Sequence, residues 1–415
     1  MNRRAKYRMR ILFVAMCDSI HAARWINQIE AEAEVHLFPA FVDTVHPKLL
    51  HVPIYGMPAP LVGQHQAGFW HRARRRAKQA LKRMMPPRLR AAGRALCAPA
   101  ESANQPSIED RAKLLADVIQ RVQPDVVHSM EFQHAGYLTL KAKERLGNRF
   151  PTWIATNWGS DIYLFGRLKS HANRVRAILQ QCDYYSCECC RDVKLARQFG
   201  LRGQPLPVFP NAGGYDLERL SRLRGAMKTS ERRLILLKGY QHWAGRALTG
   251  LRALELCADE LRGYRMAIYT PFPDVRLRAE LFESNTGIPV EFVPPCPHEE
   301  MLGWFAQARV YLGLSISDGI CTSMLDAIVT GAFPIQSDTA CTDEWIEDGI
   351  SGLVVPPEDP EPVARALRRA LTDDGLVDRA AEINLRTARQ RLDERIIAEK
   401  IRSFYRGVRL KRAAA

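Results

Sequence analysis

The sequence predicts an α/β protein built from two successive strand–helix series. Three observations carry that expectation. Short apolar runs at 9–17, 153–156, 265–269 and 311–316 alternate with longer amphipathic segments, the pattern of open sheets covered by helices. At 415 residues the chain exceeds one typical core, and its length points to about two to three domains. A segment with two glycines and a proline, 210–216, separates one series from the next.

Composition sets the outer bounds. Hydrophobic residues at 47% and charged residues at 25% are ordinary for a globular protein. Sixty Lys and Arg against 45 Asp and Glu leave a net charge of +15, which favours anionic partners: nucleic acid, an acidic membrane surface or a phosphorylated substrate. No apolar run approaches the roughly 18 residues of a membrane span. The basic N-terminus is followed by a short apolar run that meets Asp18 and lacks a small-residue cleavage site, so it reads as a first strand and not a leader peptide. Ten cysteines are too few for a disulfide scaffold. Cys187 to Cys190 contains a C-x-x-C, but no second pair and no nearby histidine completes a metal set. These thiols read as small apolar residues in a reducing cytoplasm, and no metal is expected.

Taken in order, 9–17 is the first strand. Asp18 and Ser19 are suitable caps for a helix with Trp25, Ile26 and Ile29 on one face, and 35–41 is the second strand. Residues 71–94 carry ten Arg and Lys and no acid, divided by Pro86-Pro87. A helix over 67–85 would set Phe69, Trp70, Leu81 and Met84 among these charges, as suits an anionic lipid surface. Aromatic interleaving is sparse and no DNA- or RNA-binding pattern is present, so no nucleic-acid partner is expected. Residues 98–107 read as a polar loop. Ser107 caps a helix that ends before Pro124, and 125–131 runs from strand into loop past His128. The strand at 153–156 leads into Asn157-Trp158-Gly159-Ser160-Asp161, and 184–187 and 206–209 complete the first series. In the second, 234–237 is a strand ahead of the loop from Lys238 to Arg246, followed by strands at 265–269 and 290–293 and a helix from His298. Helices at 360–372 and 385–405 follow, the last one long and basic.

The stretch 315–357 organises the rest. A strand ends near Ile316, Asp318-Gly319 turns the chain, and Thr322 or Ser323 can cap a helix carrying Met324, Leu325, Ile328 and Val329. Gly331 closes that helix and 332–335 is the next strand. The helix therefore starts just beyond a strand's carboxyl end, where open α/β sheets bind ligands and exposed N–H groups favour an anion. Asp318 and Asp326, with seven residues between them, can both face that crevice.

This spacing, with the following G-x-x-P and E-W-I-E-D-G-I-S-G-L-V-V-P-P, resembles the family-4 glycosyltransferases, whose pattern has glutamate at both positions; here both are aspartate, one methylene shorter. W-G-S-D-I is similar to the family's H-G-S-D loop, with Trp158 where a histidine often stands, and P-N-A-G-G-Y-D to its P-N-G-V-D link. The resemblance implies two Rossmann-like domains facing across a cleft, the GT-B arrangement. An acceptor-binding domain would span 1–212 and a nucleotide-sugar domain 213–385, with a C-terminal helix from 386 to 415 crossing back. It implies transfer of a hexosyl group from a nucleoside-diphosphate sugar to a hydroxyl, with retention, in surface polysaccharide or glycolipid synthesis. By the same resemblance, Asp326 would hold the ribose, and Asp318 with Gly319 and Ile320 the sugar; Cys321 and Thr322 complete the donor loop. Lys238 and Arg246 would neutralise the departing diphosphate in place of a metal, so the sugar nucleotide is a co-substrate and no cofactor is implied. Asp161 could hold an acceptor hydroxyl, with His21, Arg24, His128 and Trp158 as further acceptor contacts. The acceptor would be saccharide or lipid-linked, and the protein cytoplasmic, bound peripherally through 71–94. Two other readings stay open: a sugar-nucleotide epimerase on the same fold, and a non-catalytic membrane- or nucleic-acid-binding protein.

Overall fold

In the computed structural model, the residues described are 8–41, 44–49, 51–56, 107–211 and 213–413, the side chains of 409–413 excepted. The basic stretch 71–94 and the loop expected up to 106 lie outside them.

Two six-stranded sheets form the frame. The first contains β1 (Met9–Ala15), β2 (Ala33–Pro39), β3 (Val126–Met130), β4 (Thr152–Thr156), β5 (Tyr184–Ser186) and β6 (Gln204–Pro205), in the order β2-β1-β3-β4-β5-β6. The second contains β7 (Leu234–Lys238), β8 (Arg265–Tyr269), β9 (Val290–Phe292), β10 (Ala308–Gly313), β11 (Phe333–Ser337) and β12 (Leu353–Val355), in the order β12-β11-β10-β7-β8-β9. The ladders β1–β2, β1–β3 and β3–β4 are parallel, as is every ladder of the second sheet. The strands β3, β10 and β11 are buried along their whole length, as strands covered by helices on both faces must be. These are two Rossmann-like α/β sheets, as expected. The chain divides into two compact units, Met1–Thr156 with Gln181–Tyr184, and Asn157–Gln180 with Tyr185–Ala415.

Local chemistry sets most element ends. Ser19 and Ser107 cap their helices through side-chain oxygens. The helix Thr322–Thr330 ends at Gly331, whose φ is +76°. Its N-cap is Cys321, and Thr322 is already helical. Other expectations shift as well: the strand expected at 311–316 is β10, Ala308–Gly313, and ends three residues earlier. The strand expected at 206–209 lies instead at Gln204–Pro205, and Pro207, which lacks an N–H, is not part of it. The single helix expected at 385–405 is two, Asp374–Arg391 and Glu394–Ala413. The break has a cause: the Asp393 carboxylate accepts the Arg395 N–H at 2.8 Å, while Leu392 O and Glu394 N bond to the backbone of Tyr215.

Candidate active site

The site grows from the carboxyl ends of β7 and β10. Past these ends, the loop from Lys238 and the stretch after Gly313 run side by side. Arg246 N donates to Leu314 O at 3.0 Å and Ile316 N to Ala244 O at 2.9 Å, so the two loops singled out by their residues are clamped together. At their junction Lys238 Nζ lies 3.5 Å from Cys321 Sγ and 4.8 Å from the Tyr240 ring centroid. Burial alone would lower the Lys238 pKa, but Cys321, Tyr269, Asp318 and Tyr240 overcome it and hold the ammonium charged far above its usual range. Asp318 Oδ1 accepts the Gly319 N–H at 2.9 Å. Burial raises its pKa, and the charge of Lys238 partly offsets that. The result is a desolvated cation and carboxylate just before the N-terminus of the helix Thr322–Thr330, a place that favours a bound anion.

His242 accepts the Ala244 N–H on Nδ1 at 3.0 Å; burial, then the charges of Lys238 and Arg246, lower its pKa, so the ring stays neutral between two cations. Arg246 itself pairs through Nε with Glu358 at 3.1 Å, a partner 68% exposed. Such an exposed pair is worth little, and a phosphate could replace it.

Within the same unit the W-G-S-D turn packs directly on the Asp318 turn. Gly159 has a φ of +99°, and a Cβ there would sit 1.8 Å from Gly319 N, so only glycine fits. Ser317 Oγ donates to Ser160 Oγ at 2.9 Å. Asp161 is buried and its Oδ2 accepts the Trp158 N–H at 2.9 Å, which shapes its own loop. Arg191 braces both turns: it donates to Asp318 O at 2.6 Å and Thr339 O at 2.9 Å, and lies 3.9 Å over the Tyr163 ring. Glu188 accepts the Asn211 N–H at 2.7 Å; burial, helped by Asp318, Asp192 and Asp161, pushes its pKa up to about 8.

The second aspartate, Asp326, is buried in the helix and receives hydrogen bonds from Tyr215 Oη at 2.8 Å and His298 Nε2 at 2.9 Å. In the first unit, His21 and Arg24 occupy the first turns of the helix Ile20–Ile29, both half-buried. His128 is fully enclosed on β3: its Nε2 meets Thr156 Oγ1 at 2.6 Å, Phe13 and Trp25 pack on the ring, and burial depresses its pKa to about 3. It is a core histidine with no surface to offer an acceptor.

Sequence reading passed over Arg191, Glu188, His242, Tyr215 and His298 as chemistry. Four lay inside stretches it quoted for other reasons, and only contacts distant in sequence reveal their roles. The thiol of Cys189 also gains a partner from afar. It forms a buried group with Asp192 and Cys341, whose ligand atoms lie within 4.8 Å of one another. Asp192 is already held there by Asn157 and Arg191, at 2.8 and 2.9 Å.

Two six-stranded sheets of the Rossmann-like α/β class, with a half-buried cation at the end of β7 and a half-buried carboxylate in the loop that follows β10, form the frame of this site. The comparisons agree. Residues 242–373 match the model of the glycosyl transferases group 1, and 107–187 that of the glycosyl transferase 4-like domain, so the chain is a family-4-type glycosyltransferase of the GT-B fold class. Two curated relatives are D-inositol 3-phosphate glycosyltransferases, one from Nocardioides (35% identical over 105 residues, 25% of this chain) and one from Streptomyces bingchenggensis (30% over 90 residues, 22% of this chain). The matches span only 23% and 20% of those relatives' length. Among solved structures, sucrose-phosphate synthase from Thermosynechococcus elongatus covers 98% of this chain and 100% of its own, with a TM-score of 0.67 at 14% identity. An Anabaena protein solved with UDP-glucose covers 96% and 100%, at 0.65 and 12%. These likenesses speak for the fold. No helix among the described residues is long and apolar enough to cross a membrane.

Proposed function

We propose that the protein transfers a hexosyl group from a nucleoside-diphosphate sugar to a hydroxyl acceptor with retention of configuration. One observation carries the reading: the half-buried Lys238 ammonium, 3.5 Å from Cys321 Sγ at the start of the helix Thr322–Thr330 and in charge interaction with Asp318. As the sugar–phosphate bond breaks, negative charge grows on the diphosphate. A cation already held in place stabilises that charge without reorganising, and Arg246 joins it by leaving Glu358. Asp318 and the N–H groups of Gly319 and Ile320 hold the sugar hydroxyls, Cys321 and Thr322 line the phosphate end, and Asp326 takes the ribose. Asp161, Trp158, His21 and Arg24 remain the acceptor-side candidates. No cofactor or metal enters this scheme.

The Anabaena protein solved with UDP-glucose makes that donor the first to try, and the names of the curated relatives make a phosphorylated inositol an acceptor to try. The net charge of +15 suits such an acceptor or an acidic surface. The basic stretch 71–94 would dock the protein on the cytoplasmic membrane face, where lipid-linked or surface-polysaccharide acceptors lie. Replacing Arg74, Arg75, Arg76 and Lys78 by Gln should then reduce sedimentation with anionic vesicles, each charge contributing about 1 kcal/mol.

The test of the main reading is a melting-temperature panel of UDP-, GDP- and ADP-sugars, since a ligand bound only by the folded state raises the melting temperature. A shift from one donor, followed by nucleotide release only when acceptor is present, is expected. Interconversion of the sugar with donor alone would establish the epimerase instead, and no shift from any donor would refute the transferase.

A further inference from the structure

We propose that Cys189, Asp192 and Cys341 form a binding site for one thiophilic divalent cation, of the kind that zinc represents. The ion ties two loops together and takes no part in the transfer. Cys189 and Asp192 are fully buried and Cys341 is 4% exposed. Their two sulfurs and one carboxylate oxygen lie within 4.8 Å of one another. A tetrahedral zinc, about 2.3 Å from sulfur and about 2.1 Å from oxygen, holds such atoms about 3.5–3.8 Å apart. The ligands therefore close on the ion by about 1 Å, a movement that side-chain torsions supply.

The carboxylate is already oriented for this. Asn157 Nδ2 donates to Asp192 Oδ2 at 2.8 Å and Arg191 Nε to Oδ1 at 2.9 Å. Each oxygen can accept twice, so each keeps a position for a metal, and outer hydrogen bonds of this kind fix a ligating carboxylate. The loops that bring in the sulfurs are clamped as well. Glu344, in the turn that Cys341 opens, accepts the N–H groups of Cys190 and Arg191 at 2.8 and 3.3 Å. Cys341 itself has a φ of +46°, a conformation that cysteine seldom takes.

Charge selects the ion. Two thiolates and the aspartate bring three negative charges, and the Arg191 guanidinium on Asp192 returns one positive. A divalent cation makes the group neutral, whereas a monovalent one such as Cu(I) leaves a buried negative charge, which is costly. Calcium and magnesium take oxygen ligands, while thiolates select zinc. Binding displaces the two thiol protons to solvent as the two metal–sulfur bonds form. A disulfide between the same sulfurs would use neither the carboxylate nor the charge of Arg191. Because Arg191 also donates to Asp318 O and Thr339 O, the ion stiffens the brace under the Asp318 turn.

The experiment uses the full-length protein, stripped with a chelator, kept in a non-thiol reductant and titrated with Zn²⁺ or Co²⁺. One equivalent of zinc per chain should survive dialysis. Zinc at about a hundredfold its dissociation constant should raise the melting temperature by about 5 °C. Cobalt should give sulfur-to-metal charge-transfer absorption and the strong visible bands of a tetrahedral ion. Cys189→Ser and Cys341→Ser should each lose that absorption and the thermal shift, while Cys190→Ser, at the exposed neighbour, should keep both. Asp192→Asn should weaken zinc at least about tenfold, and it serves if the serine variants fold poorly. Absence of a cobalt–thiolate band, a band that survives both Cys189→Ser and Cys341→Ser, or a peptide map showing these two cysteines joined as a disulfide in protein that holds no zinc would overturn the proposal.

Discussion

The strand ends of the two sheets use polar residues in opposite ways. In the first sheet they are consumed by the scaffold. His128 bonds Thr156, Trp153 donates to Ser129 at 2.9 Å, and Glu131 accepts the N–H groups of His134 and Ala135 to shape the turn after β3. In the second sheet Lys238 and Asp318 are likewise desolvated, but the helix they precede offers its free N–H groups beside them. A buried polar group satisfied by one neutral neighbour stabilises a fold. A half-buried cation held near a carboxylate and a helix N-terminus is arranged for charge that has yet to arrive.

Substitutions can break that contrast or sharpen it. Lys238→Ala should have the largest effect, lowering turnover about 10²- to 10³-fold, the usual cost of removing one pre-arranged electrostatic group. Asp326→Ala should weaken nucleoside mono- and diphosphates alike by about ten- to hundredfold, measured by calorimetry. Unchanged binding there would leave the aspartate without a part in donor recognition.

Gly159→Ala tests the contact between the two turns. The new Cβ meets backbone and the φ is unfavourable, so a loss of about 1–3 kcal/mol in a denaturant titration is expected, with turnover reduced as Asp318 shifts.

His128→Gln should give the smallest functional effect, turnover staying within about twofold; a loss like that of Lys238→Ala would erase the distinction between the sheets. Its signature is pH-dependent stability. Folded His128 resists protonation down to about pH 3, whereas an unfolded histidine binds a proton near 6.5. The unfolded state therefore holds more protons as pH falls from 6.5 toward 3, and stability drops over that window by a few kcal/mol. In His128→Gln the same acid titration should be flatter.

Much of this architecture was legible from residue order. Caps at Ser19 and Ser107 and the stop at Gly331 are local events, decided by a side chain reaching its own backbone or a glycine accepting a positive φ. The strand that ends at Lys238 followed from the same alternation, whereas β10 ends at Gly313, short of the Ile316 that the apolar run suggests. The break at Leu392 and Asp393 did not, because periodicity carries through it and the interrupting partner, Tyr215, lies far back in the chain.

The amino-acid order by itself determined the two strand–helix series, the turns that end them and the acidic and basic residues those turns carry. The tertiary structure alone decided which of them meet: Arg191 with Asp318 across 127 residues, Tyr215 with Asp326 across 111, and Gly159 against Gly319. Propensity and capping act over about four residues, so they leave a local record. Pairing of distant loops is set by how the elements pack, and no periodicity in the chain encodes it.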